Sequence, residues 1–112
     1  MLGKENRLRK KKEFDNVWKN GRSSFDGLFG VKAVLNELPN SRFGVSVGLK
    51  FSKKAVERNS IRRKVRTFIA TAIPNIKKNV DVVITCLPGS RGKKTPEVHS
   101  SLESLLKNLR LL

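Results

Sequence analysis

The run Val80-Asp81-Val82-Val83-Ile84-Thr85-Cys86-Leu87 constrains this chain more than any other segment. It is β-branched and almost continuously apolar, which predicts an interior strand covered on both faces. The segments around it change period. Lys11 to Asn20 carries Phe14, Val17 and Trp18 at i, i+3 and i+4 before Gly21, the pattern of a short helix with an aromatic face. From Ser52, a candidate N-cap, the residues Ile61, Val65, Phe68, Ile69, Ala72 and Ile73 recur at helical spacing until Pro74 ends the segment. Thr95 and Pro96 open a last helix with Val98, Leu102, Leu105, Leu106 and Leu109 on one face. Residues 27 to 35 and 42 to 49 lie on either side of the turn signal Leu38-Pro39-Asn40-Ser41 and predict two antiparallel strands, with Arg22 to Phe25 a candidate third. The order is α, two or three β, α, β, α. It describes an α+β sandwich forming one domain over residues 1 to 112.

Charge narrows what such a domain can bind. The formal net charge is +16, and a surface that repels itself this strongly calls for an anionic partner. Residues 50 to 66 hold eight basic side chains against the single acid Glu57, whereas the tail after Thr95 is balanced. Arg58, Arg62 and Arg66 fall at i, i+4 and i+8, one stripe beside the apolar stripe that begins at Ile61. A helix face that merely solvates itself mixes signs to gain i,i+4 pairs, and this one does not. Arginine grips phosphate through paired N–H groups and stacks on bases, so Arg58, Arg62, Arg63 and Arg66, with Asn59 and with Lys50, Lys53 and Lys54 before them, are the candidate RNA-binding residues. A third small basic cluster, Arg91, Lys93 and Lys94, lies in a glycine-containing loop.

Other classes are disfavoured. The longest mostly apolar stretches, around Val45 and Val82, fall far short of the roughly 20 residues of a spanning helix, and the basic N-terminus runs into Glu13, Phe14 and Asp15 without the apolar core of a secretory signal. No membrane partner and a cytoplasmic location are therefore expected. Cys86, the only cysteine, reads as a small buried hydrophobe. The acidic residues are scattered without paired metal-binding spacing, and His99, the only histidine, is expected at the surface without a partner. No catalytic residue and no protein-bound metal or cofactor is assigned. A DNA-binding helix-turn-helix would require a compact helix pair, which the strands between Gly27 and Leu49 argue against.

The stretch Ala55-Val56-Glu57-Arg58-Asn59-Ser60-Ile61-Arg62-Arg63-Lys64-Val65-Arg66 resembles the Arg-Asn-Arg signature of the protein subunit of bacterial ribonuclease P. Arg7-Leu8 with Glu13-Phe14 and Val17-Trp18 is similar to that family's first helix, Arg42-Phe43-Gly44-Val45-Ser46-Val47 to one of its strands, and Asp81-Val82-Val83 to its late interior strand. Ser60 replaces a basic residue of the family pattern, and Gly48-Leu49 replace Ser-Lys. The resemblance implies a four-stranded sheet packed with three helices, a two-layer sandwich in the order α-β-β-β-α-β-α with a left-handed β-α-β crossover. It also implies that the ribonuclease P RNA subunit holds the catalytic Mg2+ and cleaves, while the protein binds that RNA and the 5′ leader of precursor tRNA. Phe14 and Trp18 are then expected to wall a cleft for the unpaired leader, against the plainer expectation that both rings pack the helix onto the sheet. The alternative function is a structural, ribosomal-type RNA-binding protein.

Overall fold

The computed structural model describes residues 3–112. Helix α1 spans Lys11–Asn20, strands β1, β2 and β3 span Arg22–Phe25, Phe29–Leu35 and Arg42–Ser46, helix α2 spans Ala55–Ala72, strand β4 spans Val80–Cys86 and helix α3 spans Thr95–Asn108. The four strands form one mixed sheet in the order β1-β2-β4-β3.

Strand β4 is the interior strand its composition predicts, antiparallel to β2 and parallel to β3. Its even residues Val80, Val82, Ile84 and Cys86 join Phe29, Val31 and Ala33 of β2 and Phe43 of β3 in a core closed by α2 and α3. From α2 come Ile61, Val65, Phe68 and Ile69, and from α3 Val98, Leu102, Leu105 and Leu106. Each fully buried aliphatic side chain contributes about 1.5–3 kcal/mol, so this face holds most of the stability. These layers are the expected two-layer sandwich. The odd residue Val83 points to the other face, where Val17 of α1 and Leu8 bury it together with Phe14 and Val34. Helix α1 therefore adds a partial third layer, which is why β4 is apolar on both sides.

One expectation changes. Strands β2 and β3 do not pair as neighbours; β4 is inserted between them. A β2–β3 hairpin would leave the most apolar strand at an edge, whereas insertion gives it ladder partners on both sides and a helix on each face. The connection Leu38-Pro39-Asn40-Ser41 is held to the start of β4 instead, by Asn79 Nδ2 donating to the Leu38 carbonyl at 2.9 Å and by the Val80 N–H donating to Ser41 Oγ at 3.1 Å.

Helix α2 begins at Ala55 rather than at Ser52. Ser52 Oγ accepts the Lys54 N–H at 3.0 Å two residues on, a local turn that ends before the helix starts. At its far end, Pro74 falls in a single 3-10 turn, Ile73–Asn75, that ends the helix. His99 also departs from expectation. It is half-buried on the seam between α2 and α3, its ring edge-on to Phe68 with centroids 5.5 Å apart.

Candidate nucleic-acid interface

The apolar stripe of α2 turns Ile61, Val65, Phe68 and Ile69 into the core and leaves its arginines along the rim. Arg63 and Arg66 are exposed and make no side-chain hydrogen bond or ion pair among the described residues, while Arg58 and Arg62 are half-buried. Arg58 Nη1 donates to the Ser52 carbonyl at 2.9 Å, and Arg62 Nη1 donates to Asn59 Oδ1 at 2.7 Å. These contacts fix the direction of two guanidinium groups and leave most of their N–H groups without a protein acceptor among the described residues. Lys50, Lys53 and Lys54 are exposed in the connection that leads into the helix.

The structure adds the third basic cluster to this rim. Glu57, the lone acid of the segment, accepts the Ser52 hydroxyl at 2.5 Å and pairs with Arg91 Nη2 at 3.1 Å. Lys64 Nζ donates to the Lys93 carbonyl at 2.9 Å, a second tie between α2 and the loop 88–94. The Ser52 hydrogen bond first, and the Arg91 charge after it, hold the Glu57 carboxyl below its ordinary value, so it stays ionised as a pin between like-charged pieces. Arg91, Lys93 and Lys94 stand apart in the sequence, since 34 positions separate Arg91 from Glu57 and 29 separate Lys93 from Lys64. Beneath the rim Cys86 is buried and its thiol is pushed up to about 12 by desolvation, consistent with a packing role.

Phe14 and Trp18 lie on the opposite face of the sheet. The Phe14 ring packs over Gly44 of β3, where an added Cβ would stand 2.6 Å from Phe14 Cζ, so only glycine allows the ring to reach the backbone. Phe14 is half-buried and shared with the Leu8–Val17–Val83 cluster. Trp18 is 42% exposed. Lys32 of β2 donates to the Trp18 carbonyl at 2.9 Å and holds its ammonium 5.5 Å from the ring centroid, a cation–π contact that keeps a positive charge beside the open ring. Lys32 was not anticipated, since an isolated lysine in an alternating strand reads as an ordinary solvent-facing position.

Among the described residues no group of three or more His, Cys, Asp and Glu side chains could hold a metal ion. The two carboxylates that do converge, Glu13 and Asp81, both face Arg42, each with an oxygen 2.6 Å from a guanidinium nitrogen. That arrangement fills the space between the carboxylates with the guanidinium and does not fit a cation site. A hollow under Lys4, Arg7, Arg9 and Lys10 lies at this end of the strands, away from the arginine rim.

A family model described as Ribonuclease P matches residues 2–110. The ribonuclease P protein component of Clostridium botulinum is 32% identical over 105 residues, covering 93% of this chain and 94% of that protein. The Staphylococcus aureus ribonuclease P protein superimposes with a TM-score of 0.87 at 28% identity over 94% of this chain and 95% of the other. The Thermotoga maritima protein, solved in complex with 1-(4-fluorophenyl)-2-thiourea, gives 0.70 at 32% identity over 92% and 95%.

Proposed function

The chain belongs to the ribonuclease P protein family, and from that premise we propose that its basic rim binds the ribonuclease P RNA subunit while the cleft of Phe14 and Trp18 receives the 5′ leader of precursor tRNA. It is the protein component of an endoribonuclease holoenzyme in which the RNA subunit carries catalysis. The reading is carried by one observation: Glu57 and Lys64 join the α2 arginines and the loop of Arg91, Lys93 and Lys94 into one cationic edge, while α1 holds Phe14 and the exposed Trp18 on the opposite face of the sheet.

The chemistry divides accordingly. Phosphate neutralisation along the rim offsets the repulsion of two polyanions, the RNA subunit and its substrate, as they approach each other. The cleft binds by stacking, which suits a single strand with unpaired bases and has no use for a base-paired stem. Mg2+ is assigned to the RNA subunit: among the described residues no group of three or more His, Cys, Asp and Glu side chains could hold a metal ion, and Arg42 occupies the space between the converging Glu13 and Asp81. The proposed partners, an RNA subunit and precursor tRNA, put the site of action in the cytoplasm; among the described residues no helix is long and apolar enough to cross a membrane.

The test is reconstitution. Purified protein added to the RNA subunit of the same organism at low Mg2+ should restore 5′ maturation of a precursor tRNA, and the protein freed of RNA should cleave nothing. A structural, ribosomal-type RNA-binding protein would leave the maturation rate of that RNA unchanged.

A further inference from the structure

We propose that Phe25, with the bare backbone of Gly30 beside it, is a stacking site for one further base of the leader, beyond Trp18 and toward the β1 edge of the sheet. The site rests on the leader-cleft reading above and lengthens that cleft.

The strand register places it. Phe25 pairs with Gly30, Gly30 with Thr85, and Thr85 with Ser46, so these four residues form one row across the sheet. Directly opposed residues share a face, and Ile84, next to Thr85, points into the core with α2 and α3. The row therefore lies on the α1 side, next to the row Gly44, Val83 and Lys32 that α1 and its aromatics occupy. Phe25 is 77% exposed, more than any other aromatic side chain described. A phenylalanine so placed adds little to folding.

The backbone that carries the ring is also fixed. Asp26, the next residue, accepts the N–H groups of Leu28 and Phe29 at 2.8 and 2.9 Å through Oδ1, and its Oδ2 accepts the Ser101 hydroxyl of α3. The backbone carrying Phe25 is thus pinned to α3, so stacking on it costs less ordering than stacking on a loose loop. Lys32 stands on the same face two residues from Gly30, with its ammonium fixed at Trp18. A strand stacked at Trp18 and again at Phe25 carries its intervening phosphate past that charge.

The chemistry of the row favours a base over a protein. Ser46, Thr85 and Gly30 offer no apolar surface around Phe25, so the patch amounts to one ring on a polar floor, too small for a protein interface. A second copy of this chain would bring another +16 against the same face. A planar base on an anionic backbone satisfies both conditions.

The test uses the holoenzyme assembled with its RNA subunit and precursor tRNAs whose leaders are lengthened one nucleotide at a time. Phe25→Ala should weaken binding about 5- to 20-fold for leaders long enough to reach the ring, the lower part of the range for base–aromatic stacking. It should act much less on shorter leaders, and Phe25→Trp should restore the long-leader affinity. Trp18→Ala should act from shorter lengths. A thermal melt of Phe25→Ala checks the fold. The proposal is overturned if Phe25→Ala weakens all leader lengths alike, if it weakens none, or if it only dissociates a dimer seen by sedimentation. If Phe14→Ala and Trp18→Ala likewise weaken all leader lengths alike or none, the whole cleft reading falls; if their effects depend on the leader and that of Phe25→Ala does not, only the Phe25 site falls.

Discussion

Arg42 and Asp81 stand opposite each other on the parallel strands β3 and β4, and the guanidinium takes both carboxylate oxygens, Nε to Oδ1 at 2.9 Å and Nη2 to Oδ2 at 2.6 Å. Its remaining arm reaches Glu13 of α1 at 2.6 Å. One side chain thus ties the two strands that flank the α2 crossover to the helix that carries Phe14 and Trp18. Asp81 is 3% exposed. Removing Arg42 would strand a buried carboxylate, which typically costs roughly 3–5 kcal/mol. Arg42→Ala should lower the urea midpoint accordingly with an unchanged m-value, and replacing both partners by apolar residues should recover much of the loss.

Glu13 predicts an acid limb of the stability curve. Its carboxyl accepts the backbone N–H groups of Lys10 and Arg9, the largest causes, and also faces Arg42, which together lower its pKa from 4.5 to about 2. The folded value lies below the unfolded one, so the stabilisation is complete above about pH 4.5 and is lost as pH falls toward 2. Allowing for solvent screening, the loss should be on the order of 2 kcal/mol. Melting temperatures between pH 2 and 7 should show this slope, and Glu13→Gln should flatten it.

The basic rim predicts a salt law. If about four phosphates are contacted, binding to the RNA subunit should weaken with a log–log slope of roughly −3 to −4, and each Arg→Ala change should reduce the slope by about one. Arg63 and Arg66, which spend no side-chain donor on the protein, should lose affinity without loss of fold. Arg58→Ala should in addition loosen the connection at Ser52, seen as faster hydrogen exchange there. An affinity independent of salt would rule the rim out as the RNA site.

The contact of Phe14 with Gly44 predicts a separable defect. Gly44→Ala places a methyl group where the ring lies and should push Phe14 off the sheet, costing about 1–3 kcal/mol as an overpacked site. In the holoenzyme it should weaken leader-bearing precursor more than mature tRNA, as should Phe14→Ala and Trp18→Ala. Trp18 fluorescence should respond to a leader-bearing substrate and not to the mature product. An equal response to both would make these rings packing residues alone.

How much of this was legible in the chain follows from the range of the interactions involved. Helical spacing and turn residues are local, so α1, α2, α3 and the apolar β4 stand in the sequence nearly where the structure has them. The one-signed face of α2 is equally local, and it carries both the candidate RNA-binding residues and the family resemblance. Strand order is not local. Nothing in Leu38-Pro39-Asn40-Ser41 says that β4, some 40 residues on, will take the place beside β2, because that choice is decided by which strand has most to lose at an edge. The same holds for Arg91 beside Glu57, Lys32 beside Trp18 and Phe25 beside Gly30. Each pair joins residues that periodicity treats as unrelated surface positions, and only the register of the folded sheet and the packing of its helices brings the two members of each pair together.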